Sequence, residues 1–398
     1  MQKMNKLTID DINLQGKRVL VRVDFNVPLN ERGNITEESR ISAALPTIQK
    51  IVKDGGRAIL VSHLGRPDGK IVESMRLVPV AKRLSELLGE PVKMAPDCIG
   101  PAVEKMVAEL KDGEILMLEN LRFYNGETDN DPEFAKKLAS YGDIFINDAF
   151  GTAHRAHAST EGVTHYFKQN AAGYLLQKEI QYLSTVLEEP HRPFVAIIGG
   201  AKISGKIDVM ANLLNKVNTL LIGGGMMYTF LKAKGLEIGG SLLEPDKVSV
   251  AKETMKKAGT KLVLPVDCII ADSVSETAKT QVVPVDKIPV GWKGVDIGPE
   301  TIRLYYGYII KAQTIIWNGP MGIFEMAPFA KGTNEIAHAI ADATKSGAVS
   351  VVGGGDTDAA VTKAGYDGDV THISTGGGAS LEMLEGKVLP GVAALTDK

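Results

Sequence analysis

The sequence predicts an α/β protein of two domains, each built on a parallel sheet, and three observations carry that expectation. Its 398 residues exceed what one compact core holds and suit two domains of ordinary size. Short β-branched runs alternate with apolar segments of helical period, the pattern of βα units wound about a parallel sheet. Midway, GYLLQKEIQYLSTVLEEPHRP sets Leu175, Leu176, Ile180, Leu183 and Leu187 at helical spacing, closed by Pro190 and Pro193. That segment predicts a connecting helix over 173–189, between a first domain over 1–172 and a second over 190–379.

Taken in order, the first domain is expected to hold strands at 18–23, 58–61, 115–118 and 144–146. Its expected helices span 38–52, with Pro46 as a source of a kink, 77–88 and 132–139. The second is expected to hold strands at 195–198, 219–222, 269–271, 314–317 and 349–352, with helices over 202–214, 333–344 and 356–363.

Composition narrows the functional classes. The chain is 44% hydrophobic and 23% charged, with a formal net charge of −3, which gives no footing for a nucleic-acid or anionic-membrane binder. Any anion site must then be a local gathering of Arg, Lys and His. MQKMNKLTIDD lacks the apolar stretch of a signal peptide, and no apolar run suits a bilayer span. Cys98 and Cys268 stand far apart without metal-type spacing, which predicts a reduced, cytoplasmic setting.

The residues just beyond each strand distinguish the halves. Ligands of open α/β sheets bind outside the carboxyl ends of the strands. In the first half those positions carry polar side chains: Asp24 and Asn26, His63 and Arg66, Arg122, and Arg155, while Arg40 opens the first helix. Arginine captures carboxylate and phosphate oxygens in a bidentate fork, so convergence of these residues predicts an anion pocket. Asp24 and Asn26 suit substrate hydroxyls or serve as turn residues. His154 and His157 flank Arg155 without a carboxylate spaced to complete a metal site. In the second half the same positions carry glycines: Gly199–Gly200, Gly223–Gly225, Gly353–Gly355 and Gly376–Gly378, among 42 in the chain. Bare N–H groups at helix N-termini suit phosphates. A small anion on one domain and a nucleotide on the other is the expected layout.

GGAKISGKI, residues 199–207, fits G-x-x-x-x-G-K through Gly200, Gly205 and Lys206, but Ile207 stands where a P-loop needs Ser or Thr. Lys202 and Lys206, four apart, would share a helix face and repel unless they face phosphates. Asp356 reads either as an N-cap or as a magnesium ligand beside a phosphate-binding turn. Neither G-x-G-x-x-G nor a kinase catalytic loop or D-F-G is present, which argues against a dinucleotide dehydrogenase and a protein kinase.

RVLVRVDFNVPL, RISAALPTI, VSHLGRP, LENLRF, NDAFGTAHRAHAS, GGAKISGKI, WNGPMGIFE, GGGDT and STGGGASLE resemble, in order, the signature segments of the phosphoglycerate kinase family. The resemblance implies two Rossmann-like domains, a hinge-bending monomer, and a last stretch over 380–398 that returns to the first domain. It implies reversible phosphoryl transfer from 1,3-bisphosphoglycerate to Mg-ADP, giving 3-phosphoglycerate and ATP in glycolysis. The phosphoglycerate site it implies comprises Asp24, Phe25, Asn26, Arg40, His63, Leu64, Gly65, Arg66, Arg122 and Arg155. The implied nucleotide site comprises Lys206, Gly294, Asn318, Glu325, Gly354, Gly355, Asp356 and Thr357. Glu325 would hold the ribose and Asp356 the Mg²⁺. Arg40, Lys202, Lys206 and the helix N-termini at Gly355 and Gly378 would stabilise the group in flight. Two positions depart from the family pattern: Asp358 stands for a small neutral residue and Gly205 for a polar one. A P-loop NTPase and an inactive nucleotide-binding module are the rival readings.

Overall fold

Val19, Val21 and Val23 alternate with Leu20 along strand β1 (Arg18–Val23), and the two sets enter different cores on opposite sides of one sheet. The structure is a computed structural model that describes residues 5–398. It falls into two compact units, one of residues 5–181 with Val388–Lys398, the other of Tyr182–Lys387.

In the first unit β1 is joined by β2 (Arg57–Val61), β3 (Val92–Met94), β4 (Ile115–Met117), β5 (Ile144–Asp148) and β6 (Asn170–Ala172). The order is β3-β4-β2-β1-β5-β6, and every pair is parallel. The helices are α1 (Ser39–Lys53), α2 (Val78–Leu88), α3 (Pro101–Ala108), α4 (Asn125–Thr128) and α5 (Pro132–Ala139). Ile41, Ala44, Ile48 and Ile51 recur at helical spacing on α1 and pack with Val19 and Val21. Val103 of α3 and Leu138 of α5 cover Leu20 and Ile59 on the other side. Full burial of such an aliphatic side chain stabilises by about 1.5–3 kcal/mol. Pro46 sits inside α1, which continues through it.

Helix α6 (Tyr174–Glu188) runs through the division between Gln181 and Tyr182. In the second unit β7 (Phe194–Ile198), β8 (Thr219–Ile222), β9 (Leu262–Val263), β13 (Thr314–Asn318), β14 (Val349–Gly353) and β15 (His372–Ile373) form a parallel sheet. Its order is β15-β14-β13-β7-β8-β9. FVAII and TIIWN are buried throughout, as expected of strands covered on both faces. The helices are α7 (Ile207–Leu214), α8 (Met227–Ala233), α9 (Val248–Ala258), α10 (Pro299–Ile309), α11 (Lys331–Lys345), α12 (Gly355–Lys363) and α13 (Gly378–Leu384); α14 (Pro390–Ala393) belongs to the first unit.

Several expectations need correction. Residues 269–271 do form a strand, but outside the parallel sheet. They belong to β10 (Asp267–Ala271), the centre of an antiparallel sheet with β11 (Thr280–Pro284) and β12 (Lys293–Ile297). A short apolar run does not reveal which sheet it joins. The helix expected over 202–214 starts only at Ile207, because residues 202–206 turn and Glu244 accepts the Ser204 N–H at 3.1 Å. Lys202 and Lys206 therefore share no helix face. The return to the first unit starts at Val388 and not at 380, since α13 stays with the second unit, where Asn212 donates to the Leu384 carbonyl at 2.7 Å. From there the chain is tied down by bonds from Leu7 N to Thr396 O (2.8 Å) and from Asn147 Nδ2 to Gly391 O (3.0 Å). Among the described residues no helix is long and apolar enough to cross a membrane.

Candidate active site

In both units the chain leaves one central strand, winds outward to one side, then returns to build the other side. The direction switches between β1 and β5 in the first and between β7 and β13 in the second. Such switch points leave a crevice at the carboxyl ends of the strands, where ligands bind.

In the first unit, β1 delivers Asp24 and Asn26 to that edge, and β2 delivers His63. Asp24 is buried and accepts a bond from Arg40 Nη1 at 3.0 Å. Its other oxygen has no hydrogen-bond partner and lies 3.8 Å from His63 Nδ1. Asn26 Oδ1 accepts the Gly65 N–H at 2.9 Å, and Arg122 Nη1 donates to the Gly65 carbonyl at 2.8 Å. Gly65 has φ +64, and a Cβ there would press on Met75 Sδ, so only glycine makes this turn without strain. The Asn120 side chain accepts the Leu64 N–H at 3.2 Å and donates to the Leu64 carbonyl at 2.8 Å, and Phe25 N donates to Ser62 Oγ at 2.9 Å. Phe25 and Leu64 bury their side chains, and these bonds fix their backbone.

Arg66, Arg122 and Arg155 line one cleft of about 320 Å³ with Asp68, Gly69, Asn125 and Thr128. Burial first, then the charges of Arg22 and Arg155, lower the Arg122 pKa to about 10. Its Nε is buried without a hydrogen-bond partner. Burial, followed by Arg22, Arg122 and Arg40, holds His63 well below the usual histidine range, and His157 is lowered to about 4 chiefly by burial. Three guanidiniums thus line one cleft, one of them with a buried donor left unpaired, a donor set of the kind that suits anionic oxygens.

The second unit builds its edge from backbone. Gly199, Gly224 and Gly319 approach so closely that a Cβ on any of them would enter a neighbouring main chain. A cleft of about 290 Å³ is lined by Gly200, Gly224, Gly225, Gly294, Glu325 and Asp356, with Tyr228, Leu242, Val295, Asp296 and the 320–323 loop. A Cβ on Gly294 would run into the ring and hydroxyl of buried Tyr228, so the strand can lie this low only with glycine. Asn318 accepts from Lys206 Nζ and donates to the Gly353 carbonyl at 2.7 Å, while Thr357 Oγ1 accepts the Gly319 N–H at 2.7 Å. Burial lowers the Lys206 pKa, with Asp356 and Glu385 opposing.

Asp356 is not an N-cap. Gly354, at φ +97, caps α12, and Asp356 lies in the first turn of that helix beside Gly355. Gly378 opens α13 after Gly377. Lys202 is not brought into the cleft. It is exposed on the turn before α7, within electrostatic reach of Glu244. Among the described residues no group of three or more His, Cys, Asp and Glu is poised for a metal.

Sequence reasoning passed over Arg22, Glu127, Tyr228 and Asp296. Arg22 did leave a signal: alternation puts it on the face of Leu20, which makes it a charged residue on a buried face. Glu127 and Asp296 left none, because their burial depends on segments distant in sequence.

The profile of the family described as phosphoglycerate kinase matches residues 9–387. A phosphoglycerate kinase of Chloroherpeton thalassium is 59% identical over 397 residues, covering 99% of this chain and 100% of that one. One from Gloeothece citriformis is 54% identical over 400 residues, with both chains covered in full. Among solved structures, phosphoglycerate kinase from Coxiella burnetii superposes with a TM-score of 0.88 at 44% identity over 98% of each chain. The enzyme from Pyrococcus horikoshii gives 0.83 at 33% identity, again over 98% of each. With the profile and full-length relatives agreeing across both switch-point edges, the chain belongs to the phosphoglycerate kinase family.

Proposed function

We propose that the protein transfers a phosphoryl group reversibly between the acyl phosphate of 1,3-bisphosphoglycerate and ADP, as its family membership implies. The observation that carries this reading is the pairing of an arginine-lined cleft holding an orphan donor with a glycine-lined cleft holding Glu325 and Asp356. In the forward direction the bond between phosphorus and the carboxyl oxygen breaks, and one to a β-phosphate oxygen of ADP forms. The leaving group departs as a carboxylate and the acceptor oxygen is already ionised, so no general base is needed. The work left to the protein is positioning and charge neutralisation.

In this reading Arg66, Arg122 and Arg155 hold the phosphate of phosphoglycerate, and Asp24 and Asn26 its hydroxyl side, with His63 and the Phe25, Leu64 and Gly65 backbone beside them. Lys206, Asn318, Gly354 and Thr357 hold nucleotide phosphates, Gly294 admits the base, and Glu325 takes the ribose. For the group in flight the family pattern names Arg40 in the first unit and, in the second, Lys202 and the N–H groups at Gly355 and Gly378. Asp356 suits Mg²⁺, an ion held largely by phosphates and water with one or two carboxylates. Asp356, which lines the cleft from the first turn of α12, supplies a carboxylate of that kind. The ion would supply charge neutralisation between phosphates. Two free, buried cysteines support a reduced, cytoplasmic setting, and the family expectation is a monomer.

A coupled assay with ATP, Mg²⁺ and 3-phosphoglycerate tests the proposal. ADP should form only when phosphoglycerate is present. ATP hydrolysis without it would point to a P-loop type of NTPase, and no turnover to an inactive nucleotide-binding module.

A further inference from the structure

Beneath the polar edge of the first unit a buried chain of side chains runs from His63 to Arg22, Ser159 and Glu127, and the last three have no role above. Arg22, fully buried on β1, places Nη2 3.0 Å from His63 Nδ1 and Nε 2.7 Å from Ser159 Oγ, and Nη1 donates to the Val23 carbonyl. Ser159 Oγ in turn lies 2.6 Å from Glu127 Oε1, and Ser159 N donates to Glu127 Oε2 at 3.0 Å. Glu127 is wholly buried, and His157 Nδ1, 3.8 Å away, is too far to bond it.

Every proton in this chain has only one possible direction. A guanidinium has donors and no acceptor, and it stays protonated. Ser159 Oγ therefore accepts from Arg22 and gives its one proton to Glu127. His63 Nδ1, facing another Arg22 donor, must be the acceptor. A neutral imidazole that accepts at Nδ1 carries its proton on Nε2. His63 is neutral because burial and the nearby Arg22, Arg122 and Arg40 disfavour its charged form. Glu127 balances Arg22 through the hydroxyl, so an otherwise costly buried charge is compensated.

We propose that Glu127 and Ser159 are positioning residues for phosphoglycerate: by fixing Arg22 they lock His63 in the Nε2–H form, which presents a hydrogen-bond donor to the substrate's anionic oxygens. This rests on the reading that puts His63 at the phosphoglycerate site. A purely structural role for the pair would leave substrate affinity and the histidine tautomer uncoupled.

Two-bond ¹H–¹⁵N correlation spectra of the full-length enzyme, labelled at histidine, test this directly. His63 should appear as Nε2–H, and saturating 3-phosphoglycerate should shift its Nε2 signal. A wild-type His63 found as Nδ1–H or as imidazolium overturns the proposal while leaving the site reading intact. An Nε2–H signal that ignores 3-phosphoglycerate removes the site reading and the proposal with it. Ser159→Ala and Glu127→Gln should each mix the tautomers and raise KM for 3-phosphoglycerate about tenfold, the scale of one lost charged hydrogen bond, with KM for ATP unchanged. An equal rise in both KM values, or an unchanged tautomer, overturns it. Should neither variant fold, the wild-type spectra decide the matter.

Discussion

In the first unit the chain leaves β1 through Asp24 and Asn26 and reaches a floor of polar side chains: Arg22, His63 and Glu127 are all buried. In the second it leaves β7 through Gly199 and Gly200, and the floor is main chain packed against main chain. The sheets beneath share one arrangement, in which the chain builds outward on one side of a central strand and then crosses to the other. Strand order alone therefore does not choose the ligand; the residues after the strands do. Side-chain recognition requires a compensating network below it, since an unpaired buried charge is expensive. Backbone recognition requires only that no Cβ intervene.

The largest expected effects test the group in flight. Arg40→Ala and Lys202→Ala should each lower kcat on the order of 10²-fold or more, with little change in KM. Steady-state kinetics with both substrates would settle this; a change confined to KM would take either residue out of the transition state. Lys202 is the sharper case, because it stands exposed and outside the cleft.

A pair of substitutions next probes the contrast itself. Arg122→Ala should raise KM for 3-phosphoglycerate by about 10- to 100-fold, as loss of charged hydrogen bonds does, and leave nucleotide KM alone. Gly294→Ala should do the reverse, raising KM for ATP by roughly tenfold as the new methyl forces the strand off Tyr228. Crossed results would mean that the two chemistries are assigned to the wrong units.

Asp356→Asn should produce a smaller, selective change. Since Gly354 and not Asp356 caps α12, thermal stability should move by no more than about 0.5 kcal/mol. The Mg²⁺ concentration for half-maximal rate should rise roughly threefold or more, because that ion prefers anionic oxygen to a neutral amide. An unaltered magnesium dependence would place the metal's protein ligand elsewhere.

The smallest effect concerns Asp296, whose carboxylate accepts Gly332 N at 2.6 Å and Ile297 N at 2.8 Å. Burial raises its pKa from 3.8 to about 7, against the pull of those two bonds. Between about pH 4 and 7 the native carboxyl then keeps a proton that the unfolded one has lost, so its contribution to stability falls as pH rises through that window. Asp296→Asn removes the titration. Its deficit relative to wild type should be greatest near pH 4 and shrink towards about pH 8. Both tryptophans, Trp292 and Trp317, belong to the second unit, so urea unfolding followed by their fluorescence reports on it. A deficit independent of pH would show that Asp296 is ionised throughout.

Much of the fold and site was legible in the sequence because the relevant signals are local. Period-two and helical patterns located β1, β7, β13 and α6, since each buries its apolar face whatever lies beyond it. Asp24, His63, Arg66 and Arg122 were legible as residues just beyond strands, and Gly199, Gly224 and Gly354 as glycines in the same positions. The register of the side sheet was not legible, because Asp267–Ala271 reads like any other apolar run. Nor was the true start of α7, where Glu244, distant in sequence, captures the Ser204 N–H that a longer helix would have used.

What the sequence by itself determined is the α/β class, the helix over the division between the units, and which half sets polar side chains and which sets glycines just beyond its strands. Those come from propensity, period and the chemistry of single residues. Only tertiary structure decided that Arg66, Arg122 and Arg155 share one cleft, that Gly294 must stay bare above Tyr228, and that Arg22 reaches Glu127 through Ser159. These pairings span segments far apart along the chain, and their strength comes from desolvation, a property of the packed interior that no local stretch of sequence carries.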